Sequence, residues 1–259
     1  MLLAFLVAIP IAALALFVGS LTLSGAVAAA IIGALCILAG WSWAGLLILY
    51  FILAVAFSKV GADAKARRTG GVVAKAGGRD AIQVLANGGV FALAAFVSSR
   101  VSEPAATLLA AAAAGALAAS AADTLATEIG TLVGGEPRSV IGWRAVPAGT
   151  SGGVTIAGSL AMIGGAILIA LAAIGLGLTA QVVAAALGGI AGAVADSLLG
   201  ALVQERRHCP RCDLATERRI HDCGTATELA GGISWLDNDL VNLCATVVGA
   251  VVAGAMTAV

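Results

Sequence analysis

The chain has 259 residues, of which 61% are hydrophobic and 11% are charged, and its formal net charge at pH 7 is zero. Its mean hydropathy of +1.06 excludes a water-soluble domain and indicates a polytopic helical protein in contact with the lipid bilayer. Because there is no net positive field, no nucleic-acid partner is expected. The 34 glycines favour close contacts between helices in lipid.

Eight apolar segments have the length needed to cross a bilayer. They lie at about 2–18, 21–39, 42–58, 81–99, 104–122, 154–177, 180–203 and 238–258. We therefore predict an all-α, polytopic transmembrane helical bundle of about eight spans, forming a single integral membrane domain over residues 1–259. The first segment is interpreted as a span, because no basic residues precede it and no clear cleavage site follows it.

The positive charges predict the orientation of the bundle. Thirteen of the 14 Lys and Arg residues fall in loops at about 59–80, 135–150 and 204–236, and Arg100 alone lies on the other side. By the positive-inside rule these loops are cytoplasmic and both termini lie outside. We expect a multi-pass protein of the cell (inner) membrane, and the sequence leaves open whether copies form a homo-oligomer.

Polar residues that are unusual in membrane spans gather at the same predicted face. They are Gln83 and Asn87 in the fourth span, Asp123, Thr124, Thr127 and Glu128 closing the fifth, Asp196, Ser197 and Gln204 in the seventh, and Asn238, Asp239 and Asn242 in the eighth. Ionisable groups within spans are costly and usually face the bundle interior or an aqueous cavity. The pattern predicts a shared active site facing the cytoplasm, although each residue could instead cap a helix.

The carboxylates among these residues suggest a metal site. Asp123, Glu128, Asp196 and Asp239, together with amide oxygens, suit Mg²⁺, which also binds phosphate oxygens. Asp123 and Glu128 are five residues apart, or about 140° around an ideal helix. They can share one metal only if the helix unwinds or ends between them.

A glycine-containing stretch, "PAGTSGGVT" at 147–155, precedes the sixth span and suggests a phosphate site. Its backbone N–H groups, small hydroxyls and the following helix start can bind phosphate, although a flexible turn with an N-cap is the alternative. Cations that could neutralise a polyphosphate lie nearby in the sequence: Lys75, Arg79, Arg138 and Arg144.

The third basic loop contains "HCPRCDLATERRIHDCG", in which Cys209, Cys212, His221 and Cys223 form a CxxC pair followed by an HxC pair. Four such ligands in a reducing compartment favour structural Zn²⁺ over a disulfide, with free thiols as the other alternative.

Five stretches in this order resemble an integral-membrane family: "GGRDAIQVLANGG", "ADTLATEIG", "PAGTSGGVTIAG", "ADSLLGALVQ" and "WLDNDLVNL". The family includes the plastid phytyl-phosphate kinases and transmembrane protein 19, and the resemblance spans about residues 59–245. It implies a prenyl-phosphate kinase that uses a nucleoside triphosphate, with CTP favoured, and Mg²⁺ to convert phytyl or geranylgeranyl phosphate to the diphosphate.

The resembling motifs, together with the nearby cations, predict roles for individual residues. The catalytic residues would be Asp123, Glu128, Asp196 and Arg79. The nucleotide- and phosphate-binding residues would be Lys75, Asn87, Arg144, Gly149, Thr150, Ser151, Gly152, Gly153, Gln204, Asn238 and Asn242. Because a prenyl monophosphate is already ionised, this chemistry requires no strong general base.

Two other functions fit parts of the pattern. Glycine-interrupted spans with intramembrane Asp residues also suit a transporter or ion-coupled carrier, which would distribute polar groups to both faces. A CTP-dependent cytidylyltransferase acting on a lipid phosphate would use the same site and release pyrophosphate.

Overall fold

The protein is a bundle of helices with two small sheets on one end, described by a computed structural model over residues 1–70, 72 and 77–258. The helices are α1 (Leu2–Phe17), α2 (Leu23–Ala39), α3 (Trp41–Lys59), α4 (Ala62–Thr69), α5 (Ala81–Ser98), α6 (Ala105–Val133), α7 (Ile156–Gly175), α8 (Val182–Leu202) and α9 (Asn238–Thr257). The strands are β1 (Arg138–Ser139), β2 (Gly153–Val154), β3 (Arg206–Cys209), β4 (Leu214–Thr216) and β5 (Glu228–Gly231).

The predicted helical membrane bundle is confirmed. Within the described residues, six helices, α3 and α5 to α9, are long and apolar enough to cross a membrane. The apolar helices α1 and α2 have 16 and 17 residues, or about 25 Å each, which is short of a bilayer core of about 30 Å.

Helix α6 differs most from its prediction, because it continues to Val133 rather than ending near residue 122. It is the centre of the bundle and contacts α3, α4, α5, α7, α8 and α9. Its alanines are almost completely buried from Ala110 to Ala122, and Gly249 of α9 packs directly on Gly115. Small side chains permit these close contacts, since helices in lipid associate through packing.

The three basic loops lie at one end of this bundle, together with the α1–α2 turn. Leu21 in that turn pairs with Arg79 in a parallel bridge, and Arg79 N–H donates to Ser20 O at 3.1 Å. At the opposite end, Arg100 contacts Leu38 O. Following the helices from these points places both termini at the end opposite the basic loops.

Candidate active site

A polar cavity of about 870 Å³ lies at the end of the bundle that carries the basic loops. Its walls come from the C-terminal halves of α6 and α8, the N-terminal turns of α5, α7 and α9, and the loops between them. The predicted site residues that line it are Arg79, Asn87, Asp123, Glu128, Gly149, Thr150, Ser151, Gly152, Gly153, Asp196, Asn238, Asp239 and Asn242. Residues distant in sequence therefore share one cavity.

Two carboxyl groups face each other across the α6–α8 interface. The side chains of Asp123 and Asp196 lie within hydrogen-bonding reach of one another. Oδ2 of Asp196 is buried and has no hydrogen-bond partner in the part of the chain that the structure describes. Adjacent carboxyl groups need either a shared proton or a bound cation, because two negative charges at this distance repel.

Glu128 is held apart from this pair. Helix α6 is continuous through Asp123 and Glu128, so the two side chains leave it in different directions. Glu128 forms a short ion pair with Lys65 of α4. The same Lys65 Nζ donates to the carbonyls of Phe57 at 2.6 Å and Ser58 at 2.9 Å, at the end of α3. A buried lysine thus neutralises Glu128 and joins three helices.

The four carboxylates proposed from the sequence therefore do not converge on one point. Among the described residues, the only group of three or more Cys, His, Asp or Glu ligand atoms within 4.8 Å of one another is Cys209, Cys212, His221 and Cys223. Asp239 lines the same cavity from the first turn of α9 and is 3% exposed. The Asp123–Asp196 pair is the part of the predicted set that the fold brings into contact.

The glycine-rich turn is fixed against α8. Gly152 has φ of +74°, and a Cβ there would meet Ala201 N at 2.7 Å and Ser197 O at 2.7 Å, so no larger residue fits. Thr155 then caps α7 by accepting from Gly158 N–H at 3.0 Å. Both the predicted turn and the N-cap are present, and the turn faces the cavity.

Ser151 connects this turn to the third basic loop. Its Oγ accepts from Gln204 Nε2 at 2.7 Å and donates to Glu217 Oε1. Burial raises the pKa of Glu217 to about 6, while hydrogen bonds from Ser151 oppose that rise. Gln204 is buried behind the turn rather than lining the cavity, so its contact with bound phosphate would be through Ser151.

Arg79 is held by its backbone at the start of α5. Its carbonyl accepts from Thr22 N–H at 3.0 Å and packs on Gly25, where the absence of a Cβ leaves room for it. Asp80 and Gln83 then form a reciprocal capping box that begins α5. Gln83 therefore has a clear structural role, and the Arg79 side chain is directed toward the cavity.

The eighth predicted span also begins at the cavity. Asp237 caps α9 by accepting from Leu240 N–H at 3.1 Å, which leaves Asn238 and Asn242 on the cavity wall one helical turn apart.

One predicted phosphate ligand is not brought into the cavity. Arg144 is exposed, and its backbone carbonyl accepts from Ser139 N–H at the sheet formed by β1 and β2, outside the cavity lining. Lys75 lies outside the described residues.

Several lining residues were not predicted as site residues. They are Tyr50, Arg68, Thr69, Glu205, Glu217, Arg218 and Arg219. Arg68 lines the cavity and donates to Gly135 O at 2.9 Å. The count of basic residues in each loop was the available signal, but it does not distinguish cavity-facing cations from exposed ones.

A second cavity, apolar and about 110 Å³ in volume, opens beside the first one between α1, α2, α3 and α5. It is lined mainly by aliphatic residues, including Ala29, Ile32 and Leu47. Tyr50, Arg79, Gln83 and Asn87 line both cavities. The polar cavity, called the polar chamber below, and the second cavity, called the apolar cleft, thus share a wall. This wall carries one guanidinium group, that of Arg79.

The fold and the site define an integral membrane protein with a polar cavity at one end of its helix bundle. The chain belongs to the family described as integral membrane protein DUF92, whose model matches residues 6–250. This confirms the family resemblance inferred from the five sequence stretches. No solved structure matches the chain significantly.

Two relatives cover most of the chain. Protein PGR of Arabidopsis thaliana is 28% identical over 248 residues, which is 86% of this chain and 84% of the relative. An uncharacterized membrane protein of Methanocaldococcus jannaschii is 30% identical over 227 residues, which is 82% of this chain and 75% of the relative.

Proposed function

We propose that this protein is a prenyl-phosphate kinase that transfers a phosphoryl group from a nucleoside triphosphate, with CTP favoured, to an isoprenoid monophosphate. The observation that carries this proposal is the junction of the two cavities at Tyr50, Arg79, Gln83 and Asn87. An amphiphile with a phosphate head and a hydrocarbon tail matches this arrangement. Its tail would lie in the apolar cleft, with its head in the polar chamber beside Arg79.

Asp123 and Asp196 are the residues that would hold Mg²⁺. Mg²⁺ is typically bound by one or two carboxylates, with waters and substrate phosphates as its other ligands. The contact between these two side chains and the unpaired Oδ2 of Asp196 fit that pattern. Bound Mg²⁺ would supply charge neutralisation for the phosphates of the nucleotide.

Several other protein groups that line the chamber would bind the nucleotide. Arg218 and Arg219 are cavity-lining cations that can contact phosphate oxygens, and the turn at 149–153 presents backbone and hydroxyl groups. Asn238 and Asn242 are neutral donors and acceptors suited to the base or ribose. The preference for CTP rests on the family resemblance.

The reaction forms one P–O bond and breaks another. An oxygen of the prenyl monophosphate attacks the γ-phosphorus, the bond from that phosphorus to the β-bridging oxygen breaks, and nucleoside diphosphate leaves. Because the attacking oxygen is already ionised at neutral pH, the protein has to align the two phosphates and neutralise their charge. Arg79 would hold the acceptor phosphate, and Arg218 and Arg219 the donor phosphates.

Purified protein incubated with γ-labelled CTP and geranylgeranyl phosphate tests the proposal. We expect label in the lipid diphosphate and stoichiometric release of CDP. Pyrophosphate with an unlabelled lipid–cytidine product would instead establish a cytidylyltransferase. No product from any nucleoside triphosphate, combined with accumulation of substrate in proteoliposomes, would favour a carrier.

A pair of variants on α2 tests the tail cleft. Ala29→Phe narrows the cleft. We therefore expect this variant to raise the KM of a twenty-carbon prenyl phosphate more than the KM of a five-carbon one. Val27→Phe adds the same ring on the exposed side of the helix and should leave both values unchanged. If the two variants change KM equally, or if Ala29→Phe changes KM equally for both chain lengths, the cleft does not bind the prenyl tail.

A further inference from the structure

The third basic loop folds into a small sheet that bears two pairs of metal-binding side chains. Strands β4, β3 and β5 pair in that order, all antiparallel. Cys209 and Cys212 flank the turn from β3 to β4, in which Asp213 N–H donates to Cys209 O at 2.9 Å. His221 and Cys223 lie on a second turn, closed by Gly224 N–H donating to His221 O at 2.8 Å.

The ligand atoms on the two turns are arranged at the spacing of a tetrahedral zinc site. Sγ of Cys209 and Sγ of Cys223 are 3.6 Å apart, and Nδ1 of His221 is 3.4 Å from Sγ of Cys223. With Zn–S near 2.3 Å and Zn–N near 2.0–2.1 Å, tetrahedral geometry places sulfurs about 3.8 Å apart and a sulfur and nitrogen about 3.5 Å apart. The observed separation of the sulfurs is far longer than the disulfide bond length of about 2.05 Å.

The loop lacks an apolar core of its own. Within residues 204–236, all of which the structure describes, the buried side chains are Gln204, Glu205, Cys209, Thr216, His221 and Thr227. Most of the large apolar residues of the same segment are exposed, among them Leu214, Ile220 and Trp235. A segment of this size without an apolar core usually depends on a metal or on disulfides for stability.

The ligands of this cluster lie before and after a group of cavity-lining residues in the sequence. Cys212 precedes Glu217, Arg218 and Arg219, and His221 follows them. All three lie on the cavity wall, and Glu217 accepts from Ser151. A metal joining the two turns would fix both ends of this strip.

We propose that Cys209, Cys212, His221 and Cys223 bind one structural Zn²⁺ ion that holds residues 213–220 against the cavity. The ion occupies a closed site with four protein ligands and takes no part in the chemistry. Its binding stabilises the folded loop, because the ligands are not prearranged in the unfolded segment. This inference is independent of the proposed kinase activity.

Metal content is the first test. Full-length protein purified in detergent without chelator is expected to contain one zinc ion per chain by elemental analysis. Cys212→Ser and His221→Ala should lose it, while His221→Cys should retain zinc, because four thiolates also form a tetrahedral site. Cys244→Ser, which removes an exposed thiol of α9, is the matched control and should keep the metal.

A local structural readout follows from the same variants. In zinc-free protein, trypsin should cleave at Arg211, Arg218 and Arg219 much faster than in the zinc-bound protein, with the helices still intact. Zinc-free wild type with unchanged cleavage and thermal stability would overturn the proposal. Stoichiometric iron in place of zinc would overturn the assignment of the metal, and zinc retained by His221→Ala would overturn the ligand set.

Discussion

At the residue scale, the charge balance of the cavity depends on which acids already have a cation beside them. Glu128 has Lys65, and Glu205 contacts both Arg207 and Arg219. Asp123 and Asp196 face each other instead, with one oxygen of Asp196 left without a hydrogen-bond partner among the described residues. These two carboxyl groups are therefore the strongest candidates in the cavity for binding an added cation.

The acid pair gives the first prediction. Asp123→Asn and Asp196→Asn keep side-chain volume and remove charge, so each should lower kcat on the order of 10²-fold or more, while the protein remains folded and inserted. Turnover is measured as CDP release across a Mg²⁺ titration. Asp63→Asn, which changes an exposed acid of α4, is the control. Both site variants retaining near-normal rates at limiting Mg²⁺ would contradict the assignment.

Glu217 gives a prediction about pH. Its pKa is raised from 4.5 to about 6 by burial, so the folded state binds the proton more tightly than the unfolded state. Protonated Glu217 therefore stabilises the folded state. This stabilisation is complete below pH 4.5 and is lost as the pH rises through about 6. The loss by pH 7 is about 2 kcal/mol.

Glu217→Gln should therefore flatten the dependence of thermal stability on pH between about 4.5 and 6.5, measured by melting in detergent. Glu228→Gln, a change at an exposed acid of β5, should retain the wild-type dependence. A slope that is identical in wild type and Glu217→Gln would show that Glu217 does not titrate in this range.

At the element scale, Lys65 is the buried side chain that joins α4 to the bundle. Lys65 binds Glu128 on α6 and two terminal carbonyls of α3. Its side chain is 9% exposed and that of Glu128 is 21% exposed, so solvent screens the pair only in part. The contact joins α4 to α3 and α6 beside the cavity, which Glu128 lines.

Breaking this contact is the third prediction. Lys65→Met should lower Tm by roughly 4–8 °C, corresponding to about 2 kcal/mol after allowance for the exposed part of Glu128. The double variant with Glu128→Gln should be less destabilised than the sum of the single variants, because the uncompensated carboxylate is removed. Lys59→Met changes an exposed lysine of α3 and is the control. Additive effects of the two changes would exclude a direct energetic coupling.

The elements differ in how far the sequence predicts them. Apart from the end of α6, hydropathy located the eight apolar helices within a few residues, because a bilayer selects for apolar length. It ended the fifth span near residue 122, since Asp123, Thr124, Thr127 and Glu128 are polar; these residues remain helical because they face a cavity inside the protein. The short helix α4 and the strands of the third loop have no such signal.

The contacts within the site were harder to predict from the sequence than the types of residue that form it. Polar residues at one predicted face indicated a common cavity, and the spacing of Asp123 and Glu128 correctly warned that a continuous helix separates them. Lys65 pairs with Glu128 across 63 residues of sequence, and Ser151 pairs with Glu217 across 66. No local pattern specifies such partners, because they depend on how α4 and the third loop pack on the bundle.

At the scale of the whole molecule, one end of the bundle carries the cavity, the basic loops and the cysteine-containing sheet, and the other carries both termini. Of the 13 Lys and Arg residues that the structure describes, 12 belong to the cavity end, which the positive-inside rule assigns to the cytoplasm. The proposed kinase requires this orientation, because its nucleoside triphosphate is a cytoplasmic solute. Sidedness is therefore a test of function as well as topology.

The fourth prediction concerns this orientation. Glu136→Cys places a thiol on the exposed loop between α6 and β1, and Ser102→Cys places one on the exposed loop between α5 and α6 at the opposite end. A membrane-impermeant maleimide added to intact cells should label Ser102→Cys and should label Glu136→Cys only after permeabilisation. Mass spectrometry of the labelled peptides separates these sites from the native cysteines. Labelling of Glu136→Cys from outside in intact cells would place Asp123, Asp196 and the glycine-rich turn away from the cytoplasmic nucleotides, and a carrier would then explain the cavity better than a kinase.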